Sequence, residues 1–209
     1  MAFRFAMAHD VIHERYPKHG PAFYLERERL ARERLKVLPP DSDEAFAYTD
    51  DICAGLDRLG KPADAVPLLR EKLKRQEKRG LSGRELYTTY ANLGTFLVHA
   101  NMGKAMRGDA DARAAVVEGL GLVEKSMAVN PDAHFGRETW QAAIIKFILK
   151  AIDQPDLITT TDCIGNRLDS DFSENDANYL RPYPKGLLMA GLSISVQDGN
   201  RLPRSVTQG

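Results

Sequence analysis

Leu86–Gly136, LYTTYANLGTFLVHANMGKAMRGDADARAAVVEGLGLVEKSMAVNPDAHFG, is the stretch that decides the fold. It reads as one helix, a long linker, a second helix and a turn at Asn130-Pro131-Asp132. Tyr90, Leu93 and Leu97 fall three and four residues apart, the spacing of one helical face. The linker is Asn101–Arg113 (NMGKAMRGDADAR). Ala114–Val129 resumes the helical pattern, with Val117, Leu120 and Met127 as its inward residues. Gly121 has no evident packing role and costs its helix about 0.5–1 kcal/mol relative to alanine.

Upstream, Ala22–Leu38 (AFYLERERLARERLKVL) reads as an amphipathic helix with Leu25, Leu30, Leu35 and Leu38 inward. Its other face is laced by Glu28/Arg32 and Arg29/Glu33, opposite charges four apart. Pro39-Pro40 breaks it, and Asp41 or Ser42 caps the next helix, Glu44–Leu59, which places Tyr48, Ile52, Leu56 and Leu59 on one side. Gly60-Lys61-Pro62 turns the chain into a helix running to about Arg79 with Leu68, Leu69 and Leu73 inward. Downstream, Phe135–Ala151 is a further helix with Trp140, Ala143, Ile144, Phe147 and Ile148 expected to face the core. A short helix is expected at Val11–Tyr16. From Gln154 the composition turns to Asp, Asn, Ser, Thr and Pro, interrupted by the apolar run Gly186–Val196 (GLLMAGLSISV), readable as a buried helix or a strand. The tail after it reads as disordered. This gives an N-terminal segment 1–20, a helical domain 21–152 and an irregular C-terminal region 153–209.

The string Tyr90-Ala91-Asn92-Leu93-Gly94, followed by Leu97, resembles the first helix of a tetratricopeptide repeat (TPR). Arg58-Leu59-Gly60-Lys61-Pro62-Ala63-Asp64-Ala65-Val66 resembles that repeat's inter-helix turn. YANLGTF and NPDAHFGRE together are similar to strings in uncharacterised bacterial TPR proteins, and the resemblance spans about Lys18–Leu149. It implies an all-α chain of helix-turn-helix repeats stacked as a short right-handed solenoid. It also implies small residues where paired helices approach: Cys53 with Ala65 in one unit, Gly94 with Gly119 in the next. Cys53 is then a packed residue, not a nucleophile. The small positions Cys53 and Gly94 are 41 residues apart (94 − 53), against a period of about 34 for the repeat. The extra residues belong at Gln76–Gly83, and a larger insert is Asn101–Arg113.

Composition limits the function classes. Among 209 residues, 29 Lys+Arg balance 29 Asp+Glu, which gives no bulk attraction for nucleic acid or anionic lipid. The two cysteines, Cys53 and Cys163, form no CxxC pair, so neither a disulfide framework nor a zinc module is indicated. No run of apolar residues is long enough to span a bilayer, and no secretory leader is evident. A cytoplasmic protein is the expectation, unless Met1 is a truncated gene start. His9 and His13 have a metal-ligand spacing but no third ligand. No nucleotide loop, nucleophile elbow or paired-cysteine motif is present. No catalytic residue, cofactor or metal is assigned.

By the resemblance, partners bind on the face of the first helices. The expected surface is Asp50, Asp51, Asp57 and Arg58 in one unit and Asn92, Thr95 and His99 in the next. Three acids there repel a carboxylate, so the surface suits a protein or peptide that is basic or neutral. Exchanging Asp50, Asp51 and Asp57 for Asn should spare the fold, each change costing within about ±0.5 kcal/mol as an exposed substitution. The expected function is a non-catalytic interaction scaffold. The alternative is an accessory or catalytic domain whose site lies between this face and the C-terminal region.

Overall fold

A computed structural model describes residues 19–163 and 165. Among these residues the chain is helical, with no strand. The helices are α1 (Pro21–Leu35), α2 (Asp43–Arg58), α3 (Pro62–Lys78), α4 (Tyr87–Ala105), α5 (Ala110–Val129), α6 (Arg137–Asp153) and the single turn α7 (Leu157–Thr160). Short 3₁₀ turns, Gly83–Leu86 and Ala133–Gly136, lead into α4 and α6. Each helix packs on the next in sequence, and α4 also touches α2. No helix among the described residues is long and apolar enough to cross a membrane.

Local chemistry sets the boundaries. The Ser42 hydroxyl accepts from the Ala45 amide at 3.1 Å, and Asp43 and Glu44 sit at the positive end of α2. Gly60, at φ +75°, takes the left-handed conformation that ends α2, and the Lys61 amide reaches back to the Leu56 carbonyl. Pro62 then starts α3, where its missing amide costs nothing. Both predicted ion pairs of α1 form, Glu28 with Arg32 and Arg29 with Glu33.

Among the described helices the α4–α5 crossing is the most extensive, and its backbones meet at two glycines. A Cβ on Gly94 would stand 2.7 Å from the Gly119 carbonyl oxygen and 2.9 Å from the Val123 amide nitrogen. One on Gly119 would stand 2.8 Å from the Gly94 carbonyl oxygen. The two backbones are in direct contact, as the paired small positions imply. Leu93 and Leu97 are buried beside them and Tyr90 is partly buried. At the corresponding α2–α3 crossing Cys53 and Ala65 are fully buried, and the Cys53 thiol lies 3.7 Å from the Ala65 carbonyl.

Four expectations are corrected. Asn101–Arg113 is not a long linker: α4 runs to Ala105, α5 starts at Ala110, and only four residues, 106–109, turn between them. Gly108, at φ +91°, makes that turn possible, and the Asp109 carboxylate caps α5 by accepting from the Ala112 amide at 2.9 Å. In α5 the buried residues are Ala112, Val116, Gly119, Leu122, Val123 and Ser126, with Leu120 packed beside the second core as expected, whereas Val117 is 47% exposed. In α1, Leu25 and Leu30 are 55% and 48% exposed. Leu25, Leu30 and Leu35 are five apart, so each steps about 140° round the helix, and the inward face is instead Tyr24, Glu28, Ala31 and Leu35. In α6 the buried residues are Glu138, Ala142 and Ile145, with Leu149 and Ile152 packed beside the same core. Trp140, Ala143, Ile144 and Phe147 lie on the opposite side, because α6 is apolar on two faces and spacing alone does not choose between them. The expected Val11–Tyr16 helix and the Gly186–Val196 run lie outside the described residues.

The glycines of the α4–α5 pair give a paired test. Gly94→Ala should destabilise by on the order of 1–3 kcal/mol, because the new methyl meets backbone that cannot rotate away. Gly121, where an added Cβ would meet nothing within 4 Å, should gain about 0.5–1 kcal/mol as alanine through helix propensity. Urea unfolding of both variants checks this. Equal midpoints would contradict the crossing.

Candidate functional site

Two polar stripes face each other across α2 and α4. On α2 the stripe is Ala47, Asp50, Ala54 and Asp57, and on α4 it is Thr88, Asn92, Thr95 and His99, each at alternating three- and four-residue steps. The stripes are in register. Asn92 Nδ2 lies 3.5 Å from Asp50 Oδ1, and His99 Nδ1 lies 2.7 Å from Asp57 Oδ1. The two contacts have the same sequence offset, 92 − 50 = 99 − 57 = 42, so α2 and α4 run parallel. The row continues onto α6, where Gln141 Nε2 donates to Thr95 Oγ1 at 2.8 Å. Nearer the start of α4, the buried Tyr87 hydroxyl donates to Glu138 at 2.7 Å. Burial and the Glu138 carboxylate together push the Tyr87 phenol well up.

The acids of this face are not free charges. Asp50 accepts from Lys72 Nζ of α3 at 2.5 Å, and Lys72 is only 4% exposed. Burial raises the Asp50 carboxyl, with Lys72 and Asn92 acting against it. Asp51 points away from α4 and pairs with Arg27 of α1. Asp57 is held by His99, and this hydrogen bond raises the imidazole above its ordinary 6.5, opposed by partial burial. Arg58, the last residue of α2, is exposed. So the structure assembles Asp50, Asp57, Asn92, Thr95 and His99 into one row, places Arg58 at its end, and turns Asp51 out of it. Asp50 is not the exposed charge that its expected tolerance to asparagine assumed, and Asn would leave Lys72 buried without its counter-charge.

A cleft of about 330 Å³ opens beside the row, lined by Phe46, Asp50, Lys72, Gln76, Glu85 and Thr88 among others. The Thr89 hydroxyl and Gln76 Oε1, 2.7 Å apart, tie α4 to α3 underneath it. Glu85 also accepts from the Ser82 amide in a capping box, which fixes the cleft's rim. Cys53 lies below, its thiol pushed up to about 12 by burial and then by the Asp50 carboxylate, and so is held as an unreactive thiol.

Lys72, Arg27 and Gln141 were missed by sequence reasoning. For Lys72 a signal exists: with Ala65, Leu69 and Gln76 it completes the inward stripe of α3 at steps of four, three and four. A lysine on an inward stripe calls for an acid on the facing helix. Arg27 and Gln141 carry no such mark. No family model, curated protein or solved structure matches the chain.

Two measurements test the row. Asp50→Asn should lower stability by about 2–4 kcal/mol, toward the range for breaking a buried pair. Asp51→Asn, in a partly exposed pair, should cost about 0–1 kcal/mol by the same unfolding assay. For His99 the folded value is the raised one, so its contribution to stability is complete below pH 6.5 and is lost as pH rises through the folded value. An NMR titration of the His99 ring should show a midpoint above 6.5, and Asp57→Asn should bring it back down. A midpoint that ignores Asp57→Asn would contradict the pairing.

Proposed function

We propose that the chain is a non-catalytic, TPR-like helical-repeat module that holds a segment of a partner protein along the α2–α4–α6 face. One observation carries the reading: the polar side chains of this face are tied to one another across helices rather than waving in solvent. Asp50–Asn92, Asp57–His99 and Thr95–Gln141 fix their rotamers on rigid helices, so a partner finds donors and acceptors already ordered and loses less entropy on binding. The equal offset of the two α2–α4 contacts supports a repeated hairpin, with first helices side by side and second helices behind them. In this reading α2, α4 and α6 are the first helices and α3 and α5 the second, stacked as a short right-handed solenoid.

The partner segment is neutral and hydrogen-bonding, more than basic. Each acid expected to attract cations already has a basic neighbour, Lys72, Arg27 or His99. Recognition then comes from amide, hydroxyl and imidazole groups, with Arg58 the exposed charge at the end of the row. Binding of this kind depends weakly on salt. Nothing in the row is poised as a nucleophile, since the nearest thiol, Cys53, is buried and protonated.

Photo-crosslinking tests the assignment in the source cell. A photoreactive residue at Thr88, exposed in the cleft, should capture a discrete protein. One at Lys74, exposed on the α3 surface, should not. Adding Asn92→Leu should abolish the Thr88 product and leave the helical circular dichroism unchanged. Capture from both positions alike, or from neither, would refute this face as the binding surface.

A further inference from the structure

The second apolar face of α6 is only partly covered, with Trp140, Ala143, Phe147 and Ala151 half-buried and Ile144 exposed. Taking Glu138, Ala142 and Ile145 as the buried side, Trp140, Ala143, Ile144, Phe147 and Ala151 fall on the opposite side at about 100° per residue. None of these five residues is charged. Ile144 is 42% exposed, and the Trp140 indole nitrogen is buried without a hydrogen-bond partner. Glu138 is the charged residue on the buried face, and Lys146 lies between the two faces in its pair with Glu124 of α5. Nearby, Ile158 of α7 is 59% exposed. A helix apolar on two faces is one built to be covered on both.

We propose that Gly186–Val196 of the same chain docks on this face and completes the packing of α6. The last described residue is Gly165, just beyond α7 and close in sequence to the C-terminal end of α6. Twenty residues separate Gly165 from Gly186. They can span roughly 60 Å when extended, more than twice the roughly 25 Å length of a 17-residue helix. Gly186–Val196 holds no charged residue, and seven of its eleven residues are Leu, Met, Ala, Ile or Val. An uncharged segment and an uncharged stripe on one chain meet at a high effective concentration. Helices α2 to α5 are each flanked on both sides by their neighbours in sequence, and the outer face of α1 is laced with ion pairs.

Trp140 is the sole tryptophan of the chain, so its fluorescence reports on this face alone. In the full chain, Leu187→Asp with Leu188→Asp should shift its emission to longer wavelength and raise acrylamide quenching. Leu202→Asp, in the same tail, should leave both unchanged. A second measurement covers the event that the double variant unfolds. With Cys163→Ser, Ile144→Cys and Leu188→Cys, a short bismaleimide should join residues 144 and 188 within one chain at low protein concentration. Cys53 stays silent because it is fully buried. A bismaleimide product that is instead an intermolecular dimer, or concentration-dependent Trp140 emission, would assign the face to a second copy and overturn the proposal. Unchanged emission together with no crosslink would overturn it as well.

Discussion

The contact between the backbones at Gly94 and Gly119 is the constraint from which the other features follow. Each glycine's missing Cβ is the space filled by the other helix's carbonyl, so α4 and α5 approach as closely as helices can without side chains between them. That closeness leaves no room for the long side chains that usually separate a helix pair. The flanking residues pack round the crossing instead: Leu93 and Leu97 with Leu122 toward one core, Val98 with Val116 toward the other. α4 is therefore buried on two sides and joins the two cores. The α2–α3 crossing uses the next smallest solution, Cys53 on Ala65.

A helix buried on two sides has one strip left for polar chemistry. On α4 that strip is Thr88, Asn92, Thr95 and His99, and the parallel run of α2 sets Asp50 and Asp57 opposite two of them. The polar face is thus a by-product of packing: what α4 cannot bury is aligned with what α2 cannot bury. The buried Lys72 deepens the effect. Its ammonium reaches Asp50 from the far side of the pair, so Asp50 is held from α3 and α4 together. A carboxylate gripped in this way positions its neighbours more than it attracts a ligand, which is the basis for proposing a hydrogen-bonding partner over a strongly basic one.

The all-helical class, most helix positions and the small residues at both crossings were legible in the sequence, because they rest on local signals. Pro62 and Gly60 mark a turn, Ser42 marks a cap, and a glycine inside a good helical pattern needs a packing reason. What was not legible depends on which of two faces the tertiary structure selects. α6 carries apolar residues on both sides, and α1 carries leucines that share no face, so hydrophobicity alone misassigned both. The acids were legible as residues but not as charges. Asp50, Asp51 and Asp57 read as a negative surface until Lys72, Arg27 and His99 are placed beside them, and those partners lie 22, 24 and 42 residues away.

The stretch Asn101–Arg113, expected to be a linker, shows why a break in the apolar pattern is not the same as a loop. In a helix pair, lengthening one helix alone strands its apolar face, whereas lengthening both keeps the ends level and the faces matched. Of the thirteen residues, 101–105 end α4 and 110–113 open α5, a little over one turn on each, so the two helices end level with each other. The added turns bring Ala105 on α4 and Ala112 on α5 into contact with Val98 and Val116, and Ile145 of α6 packs on that cluster. This stretch thereby contributes Ala105 and Ala112 to the second core, on which Ile145 of α6 packs.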